Sequence, residues 1–297
     1  MHDVAVIGAG AIGLSLASAI ARTGQRVTIC GGRQPVTDVR ITESGETASW
    51  PVQYREHPTR PTGAMTVIVA VKAHHTAAIG EWLRAFDAPT TTVVVAQNGV
   101  EQRERVAPFL REANIVPAIV YLNVERTAPG AATLRRVGAA DLAVGTDPAS
   151  VAVAAALTEG GMRVATESDL VTVAWAKLLT NITANPMTAL TGRRADVMRD
   201  TGVAELARSV MIEAATIGRA EGAKLTDADV DRALTWLKNV PEGSTTSMRE
   251  DRLAGRAMEH DALTGAVLRA GERHGIPAPT NRIIYSLLNA IRPEVVV

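Results

Sequence analysis

Three closely spaced glycines near the start of the chain constrain its fold more than any other feature. They are the first, third and last residues of the run Gly8-Ala9-Gly10-Ala11-Ile12-Gly13. The run follows an apolar segment at 4–7 and precedes a helical pattern that continues to about residue 23. The first glycine permits a tight turn, the second lets the backbone approach a pyrophosphate, and the third lets the helix pack on the strand. The run therefore predicts a strand–turn–helix unit that binds a dinucleotide at the helix amino terminus.

The first half of the chain alternates short apolar runs with helical patterns. Further strands are predicted at 26–30, 66–71, 92–96, 115–121 and 163–165, and helices at 76–85, 100–112 and 150–160. Alternation of this kind indicates a parallel sheet with helices on both faces. Glycines punctuate residues 123–147, which we expect to form an antiparallel or irregular edge to the sheet. Residues 1–167 are thus predicted to form an α/β domain of the Rossmann type.

The second half of the chain has a different hydrophobic pattern. From residue 168 onward the apolar period is 3.6 residues, which is typical of amphipathic helices. The predicted helices run over about 169–190, 202–221, 226–239, 247–274 and 280–291. Ser247 followed by Glu250 has the spacing of a capping box and predicts the start of the fourth helix. Residues 168–297 are therefore predicted to form an all-α domain.

The end of the second predicted strand indicates which dinucleotide binds. NAD-binding proteins usually carry Asp or Glu there, where it holds the ribose 2′-hydroxyl. Here the strand ends in Cys30-Gly31-Gly32-Arg33, and no carboxylate follows before Asp38. Glycines leave room for a 2′-phosphate and the Arg33 guanidinium can pair with it, so NADP(H) is favoured. A solvated loop arginine is the alternative interpretation of Arg33.

Two polar residues follow other strands of the predicted sheet. Lys72 stands at the end of the strand at 66–71, and Asn98 comes just after the strand at 92–96. Ligands of open α/β sheets bind beyond the carboxyl ends of the strands. We therefore expect Lys72 and Asn98 to face the cofactor, although Asn98-Gly99 is equally typical of a tight turn.

Three polar residues recur at intervals of four in the first helix of the second half: Lys177, Asn181 and Asn185. With 3.6 residues per turn, this spacing puts the three side chains on one helix face. Unpaired polar groups in an otherwise apolar helix would cost about 1–3 kcal/mol each. The stripe is therefore predicted to bind a small ligand with a carboxylate and a carbonyl or hydroxyl. The alternative is a polar face packed on the other domain, and Pro186 is expected to end or kink the helix.

A second polar group belongs to the predicted helix at 247–274. Ser247 has the properties of an N-cap, and a hydroxyl beside helical N–H groups also suits a ligand carboxylate. Glu259 and Asp261 lie three turns on, and taken alone they have the pattern of solvated helix charges.

Composition argues against several other classes of protein. Lys+Arg and Asp+Glu both total 31, so the chain lacks the positive field of many nucleic-acid-binding proteins. Nine aromatic residues (four Trp, three Tyr, two Phe) are too few for a base-stacking platform. The single cysteine excludes an internal disulfide framework, and no histidine pair has metal-site spacing, so no metal is expected. The uncharged stretch at 4–21 lacks the basic residues that precede a signal sequence, and we expect a cytoplasmic protein without a membrane segment.

These residues together resemble the ketopantoate reductase (2-dehydropantoate 2-reductase) family. The resemblance spans essentially the whole chain and rests on five markers in the right order. They are the glycine run at 8–13, Val71-Lys72-Ala73, Gln97-Asn98-Gly99, Lys177-x3-Asn181-x3-Asn185-Pro186, and Ser247-Met248 with Glu259-x-Asp261 and Gly265. The resemblance implies NADPH-dependent reduction of ketopantoate to pantoate, on the route to pantothenate and coenzyme A. It also implies that 1–167 bind NADP and that 168–297 bind substrate, with a fold like the carboxyl-terminal domain of 6-phosphogluconate dehydrogenase.

The resemblance further implies roles for single residues on the substrate side. Lys177 matches the general acid of the family. Asn181, Asn185 and Ser247 match its substrate-binding positions. Asn98 matches a residue that touches both cofactor and substrate.

On the cofactor side, the resemblance assigns Glu259 to a position near the nicotinamide ribose. Arg33 and Lys72 match basic groups around the adenosine phosphate. The backbone of the glycine run at 8–13 would hold the pyrophosphate.

Two departures from the family pattern leave the substrate open. Some members place another asparagine shortly after the Asn-Pro pair, where this chain has residues 191–195, and His260 replaces a usually apolar residue. One alternative function is therefore NADPH-dependent reduction of another small 2-oxo or β-hydroxy acid. The other is a non-catalytic NADP(H)-sensing protein, which would have no need of the Lys177 proton donor. The helical half allows a homodimer, but its sequence has no decisive apolar face.

Overall fold

The computed structural model describes residues 3–32, 34–60 and 65–291. The chain divides into two compact units, Met1–Leu170 and Val171–Val297. All strands of the described residues lie in the first unit, and the described part of the second contains helices and turns only. The prediction of an α/β region followed by an all-α region is confirmed.

The first unit contains thirteen strands and four α-helices within its described residues. The strands are β1 (Asp3–Ile7), β2 (Val27–Cys30), β3 (Asp38–Glu43), β4 (Glu46–Pro51), β5 (Gln53–Arg55), β6 (Met65–Val69), β7 (Thr91–Val95), β8 (Asn114–Pro117), β9 (Ile119–Val120), β10 (Asn123–Ala128), β11 (Ala131–Arg135), β12 (Leu142–Val144) and β13 (Val164–Thr166). The α-helices are α1 (Ala11–Arg22), α2 (Gly80–Phe86), α3 (Gln102–Val106) and α4 (Pro148–Glu159), and short 3-10 turns occur at Ala73–His75, Ala77–Ile79 and Ala107–Phe109.

A six-stranded sheet forms the centre of this unit, with the spatial order β5-β2-β1-β6-β7-β8. Every neighbouring pair in it is parallel. Successive side chains of a strand point to opposite faces. In β1, Val4 and Val6 pack in one core with residues of α1, whereas Ala5 and Ile7 pack in another with residues of α2. Both faces of the sheet are therefore covered, which explains why its strands are almost continuously apolar.

The remaining strands do not extend this sheet, so the prediction that residues 123–147 form its edge is wrong. β10 and β11 join β3 and β4 in a separate sheet with the order β10-β11-β3-β4. A third, small sheet has the order β13-β12-β9. The physical reason is that β3 and β11 turn apolar side chains, including Ile41 and Leu134, toward the core that also contains α1. The four-stranded sheet thus packs against α1.

The second unit is built from helices. They are α5 (Leu170–Thr191), α6 (Thr201–Ala220), α7 (Asp227–Lys238), α8 (Ser247–Leu253), α9 (Ala266–His274) and α10 (Pro279–Ala290), with a 3-10 turn at Ala195–Arg199 and a π-helical turn at Asp261–Gly265. Among the described residues, no helix is both long enough and apolar enough to cross a membrane.

The continuous helix predicted at 247–274 is wrong, because α8 ends at Leu253. Gly255 adopts the left-handed conformation with φ 62°, and its N–H donates to the Arg252 carbonyl at 3.0 Å. The N–H of Arg256 donates to the Asp251 carbonyl at 2.8 Å, which completes a Schellman motif. The chain is then non-helical as far as Glu259 and becomes helical again at His260.

Pro186 was expected to end or kink its helix, and it does not end it, because α5 continues to Thr191. A proline inside a helix removes one N–H donor, at a cost of about 3 kcal/mol. Hydrogen bonds from two arginines of α8 stabilise the last turn of α5 and offset this cost. The Arg252 guanidinium donates to the carbonyls of Ala189 and Leu190, and Arg249 donates to a carbonyl just past the helix end.

Candidate functional site

The glycine turn lies at the carboxyl end of β1 and is built from backbone. Gly8 has φ 114°, and a Cβ there would lie 2.7 Å from the Val71 nitrogen. A Cβ on Gly13 would lie 1.9 Å from the carbonyl oxygen of Gly8. Gly10 differs, because no atom of the described residues beyond its chain neighbours and its own helix backbone lies within 4 Å of its Cβ position, and it starts α1 without a side-chain cap. The open, uncapped start of α1 fits the pyrophosphate of a dinucleotide.

The end of β2 is the place where the adenosine ribose of the dinucleotide is predicted to bind. Gly31 and Gly32 both have positive φ, 66° and 107°. Arg33 lies outside the described residues. The first carboxylate after this turn, Asp38, is on β3 and accepts a hydrogen bond from the Ser49 hydroxyl at 2.6 Å. The described part of this turn therefore contains glycines and no acidic side chain.

Lys72 and Asn98 follow β6 and β7, at the same edge of the central sheet as the glycine turn. Gln97, for which the sequence motifs predict no role, connects their two loops. Its side-chain amide donates to the Val71 carbonyl at 3.0 Å and to the Thr76 hydroxyl at 2.9 Å. Since Gln97 is only 4% exposed, these bonds fix the positions of both loops.

Two further side chains hold the Asn98 loop from the other side. The Gln102 amide donates to the carbonyls of Gln97 and Ala118, at 2.8 and 2.9 Å. The Arg105 guanidinium donates to the Asn98 carbonyl at 2.8 Å. Thr76 follows β6, whereas Gln97, Gln102 and Arg105 follow β7, and the pairing of these two strands brings the segments together.

Lys177 lies on α5, together with Asn181 and Asn185, and one continuous helix carries all three. Its side chain is partly buried. Burial lowers the pKa of Lys177 from 10.5 to about 8, and the Glu259 carboxylate opposes this shift. Because Glu259 is only 8% exposed, it is not the solvated helix charge that its pattern indicated. A lysine that gains and loses its proton near neutral pH suits acid–base chemistry.

Asn185 contacts the residue that follows Ser247 in the second unit. Asn185 is 7% exposed, and its Oδ1 accepts a hydrogen bond from the Met248 N–H at 3.5 Å. Ser247 is exposed and is the first residue of α8. The interpretation of Ser247 as the N-cap is wrong, because Thr246 is the cap and accepts from the Arg249 N–H at 3.2 Å. Within the described part of the chain, the Ser247 hydroxyl has no hydrogen-bond partner.

The segment that carries Glu259 is held by the π-helical turn that follows it. Asp261 accepts hydrogen bonds from Arg269 at 2.9 Å and from the Tyr285 hydroxyl at 3.0 Å. Burial alone would raise the pKa of Asp261, but these bonds lower it overall. Gly265 allows the arrangement, because a Cβ there would lie 2.7 Å from the Asp261 carboxylate. Single π turns are frequent at functional sites, and this one fixes the chain directly after Glu259.

Comparison with known proteins identifies the family. The model of "Ketopantoate reductase PanE/ApbA" matches residues 4–147, and that of its C-terminal part matches residues 169–292. A 2-dehydropantoate 2-reductase from Caulobacter vibrioides is 37% identical over 98% of this chain and 99% of its own length. The chain belongs to the ketopantoate reductase family. The family prediction made from the five sequence markers is confirmed.

Other members of the ketopantoate reductase family agree with this result. The 2-dehydropantoate 2-reductase of Mycobacterium tuberculosis is 35% identical over 97% of both chains. The crystal structure of a PanE/ApbA family ketopantoate reductase from Ralstonia eutropha JMP134 matches with a TM-score of 0.87. It is 29% identical and covers 97% of this chain and 98% of its own. Fold and family are therefore consistent along the whole chain.

Within the described residues, no group of three or more His, Cys, Asp or Glu side chains is arranged to hold a metal ion. The side chains available for ligand binding are instead amides, hydroxyls and single charges. They lie in two groups, one at the carboxyl edge of the central sheet and one around α5. The assignment of each to cofactor or substrate remains a prediction.

Proposed function

We propose that this member of the ketopantoate reductase family catalyses the NADPH-dependent reduction of 2-dehydropantoate to pantoate, a step of pantothenate and coenzyme A biosynthesis. The observation that carries the proposal is the environment of Lys177. Its pKa is lowered to about 8, and it shares helix α5 with Asn181 and Asn185. A cationic donor with two amides suits a 2-oxo acid, which presents a ketone oxygen beside a carboxylate.

In this mechanism NADPH, when bound, supplies a hydride to the C2 ketone carbon. Lys177 donates a hydrogen bond to the ketone oxygen and stabilises the negative charge that develops there. The lysine then transfers a proton from Nζ to that oxygen, which yields the hydroxyl of the product and a neutral amine. Because its pKa is about 8, Lys177 regains a proton from solvent at neutral pH.

The remaining polar groups of the second unit would orient the substrate. We assign Asn181 and Asn185 to the hydroxyl and carbonyl oxygens of the substrate, and Ser247 to its carboxylate. The proposal for Ser247 is supported by its exposure and by the Thr246 cap, which leaves its hydroxyl unused by the helix. The buried position of Asn185 supports a fixed orientation for its side chain.

The first unit would hold NADP(H). The glycine run at 8–13 and the start of α1 would bind the pyrophosphate, and Lys72 and Arg33 the adenosine phosphates. We assign Asn98 to both cofactor and substrate, and Glu259 of the second unit to the nicotinamide ribose. In the division that we propose, residues 1–167 bind NADP and residues 168–297 bind the substrate.

The test is NADPH oxidation with 2-dehydropantoate and a panel of other 2-oxo acids, each also measured with NADH. We expect the highest kcat/KM for NADPH with 2-dehydropantoate. Preferred turnover of another 2-oxo acid would keep the chemistry and overturn the substrate. Binding of NADP(H) without turnover of any acid would support the sensing alternative.

We further propose a cytoplasmic location and a homodimer. Exposed apolar side chains of the helical unit, Trp236, Ile283 and Leu287, support the homodimer. Analytical ultracentrifugation tests it, since a single species of monomer mass at micromolar concentration would contradict a stable dimer.

A further inference from the structure

We propose that Arg55, at the carboxyl end of β5, selects NADPH over NADH by pairing its guanidinium with the adenosine 2′-phosphate. The inference rests on the proposed function, since it requires NADP(H) to bind at this edge of the sheet. It concerns a residue that none of the sequence markers contains.

The pairing of β5 with β2 brings Arg55 to this edge. The two strands are parallel, and Arg55 lies opposite Cys30 in the register. The Gly31 N–H donates to the Arg55 carbonyl at 2.9 Å. Neighbouring strands lie about 4.8 Å apart. Arg55 is therefore one strand away from the turn at which dinucleotide-binding folds distinguish a 2′-hydroxyl from a 2′-phosphate.

The positive charge of Arg55 influences Cys30, the last residue of β2. Burial raises the pKa of the Cys30 thiol to about 12, and the positive charge of Arg55 opposes this shift. This agrees with the strand register, which puts Arg55 opposite Cys30 at the end of β2. Arg55 is partly buried and forms no ion pair with another residue of the described ranges. Its charge is thus available to an anion.

The turn beside Arg55 has room for such an anion. Among the described residues outside its own chain neighbours, a Cβ at Gly32 would meet only the Gln34 carbonyl oxygen, at 3.9 Å. The carboxylate of Asp38 is engaged by the Ser49 hydroxyl on β4. An anion over the glycines would therefore face the Arg55 guanidinium without a competing carboxylate in the described part of the turn. Arginine binds phosphate through a planar fork of donors, which a nicotinamide cofactor without the 2′-phosphate cannot engage.

The test compares Arg55→Gln with wild type by calorimetric titration of NADP⁺ and NAD⁺, and by kcat/KM for NADPH and NADH. Loss of one charge-assisted pair corresponds to roughly 10- to 100-fold weaker binding. We expect that loss for NADP⁺ and NADPH only, with NAD⁺ and NADH little changed. Arg55→Lys should retain part of the preference, since it keeps the charge without the fork. Arg40→Gln is the matched control, because it removes an exposed arginine from another sheet of the same unit.

Equal weakening of both cofactors in Arg55→Gln would show that Arg55 has a structural role and would overturn the inference. An unchanged preference in Arg55→Gln would also overturn it, and a loss of preference in Arg33→Gln would then assign the 2′-phosphate to Arg33. Binding is measured without substrate, so the result does not depend on which acid is reduced. A wild-type protein that binds NADP⁺ and NAD⁺ equally would instead refute the proposed cofactor, and a protein that binds neither would refute the proposed function.

Discussion

The glycine turn after β1 and the polar stripe of α5 are both candidate ligand-binding sites, but the first is built from backbone and the second from side chains. The turn is backbone, and its glycines pack on one another or leave space, as at Gly13 and Gly10. The stripe is made of side chains on a regular helix, and its lysine is partly buried with a lowered pKa. A site of the first kind should be damaged by added atoms. A site of the second kind should lose activity, but gain stability, when its charge is removed.

The largest effect is expected from Lys177→Ala. General-acid catalysis contributes typically 10²–10⁴-fold, and we expect kcat/KM for NADPH-dependent reduction to fall by about that factor. Steady-state kinetics with 2-dehydropantoate provides the measurement. Lys238→Ala, an exposed lysine of the same unit, should leave the rate unchanged. Nearly full activity in Lys177→Ala would show that Lys177 is not the general acid.

Gly13→Ala and Gly10→Ala separate packing from binding within the glycine turn. At Gly13 a Cβ would overlap the Gly8 carbonyl oxygen, so we expect a loss of folding stability of roughly 1–3 kcal/mol or more. At Gly10 the Cβ position is open. That variant should keep the melting temperature and raise the KM for NADPH. Thermal unfolding with and without NADP⁺ distinguishes the two, and the reverse outcome would contradict this account of the turn.

Lys177→Met should be more stable than the wild type at neutral pH. The folded-state pKa of about 8 lies below the ordinary 10.5, so the unfolded chain binds more protons between these values and wild-type stability rises with pH there. Below pH 8 the cost of burying the charge is complete. Its removal should therefore stabilise the variant by on the order of 1–3 kcal/mol at pH 7. Urea unfolding should show this gain shrinking from pH 8 upward, and a gain independent of pH would argue against a buried charge.

The smallest effect is expected from Glu259→Gln, through the pKa of Lys177. The carboxylate favours the protonated lysine, so its neutralisation should lower that pKa further. Activity that requires protonated Lys177 declines as pH rises through its pKa. The alkaline limb of the pH–rate profile should thus move to lower pH in Glu259→Gln. Glu205→Gln, an exposed residue of α6, serves as control, and a limb that stays in place would exclude electrostatic coupling.

Strong local patterns were predicted well. A local sequence pattern is enough to identify the glycine run, most apolar strands of the central sheet and the long helix α5. β4 and β5 were missed for the opposite reason. β4 is mostly exposed and β5 has three residues, so neither has a clear apolar alternation. They are strands because of the partners with which they pair.

The candidate site divides along the same line. Lys177, Asn181 and Asn185 were found because helical spacing alone puts them on one face. The bonds from Gln97 to the Val71 carbonyl and from Gln102 to the Ala118 carbonyl were not predicted, because they join segments that only the order of the strands brings together. The N-cap of α8 is Thr246, one residue before the predicted Ser247. The Thr188 hydroxyl, at 2.6 Å from that of Thr246, helps to hold this cap. No periodic pattern contains that contact.

The family, the two kinds of architecture and the residues proposed for the chemistry were all predicted from the amino-acid sequence, because each depends on short-range spacing. Three features became visible only in the folded chain: α8 ends at Leu253, Glu259 is buried near Lys177, and Arg55 lies beside the turn at Gly31. These features depend on burial and on pairing between distant segments. Such interactions are established only when the whole chain is packed, and they set the electrostatics on which the proposed reaction depends.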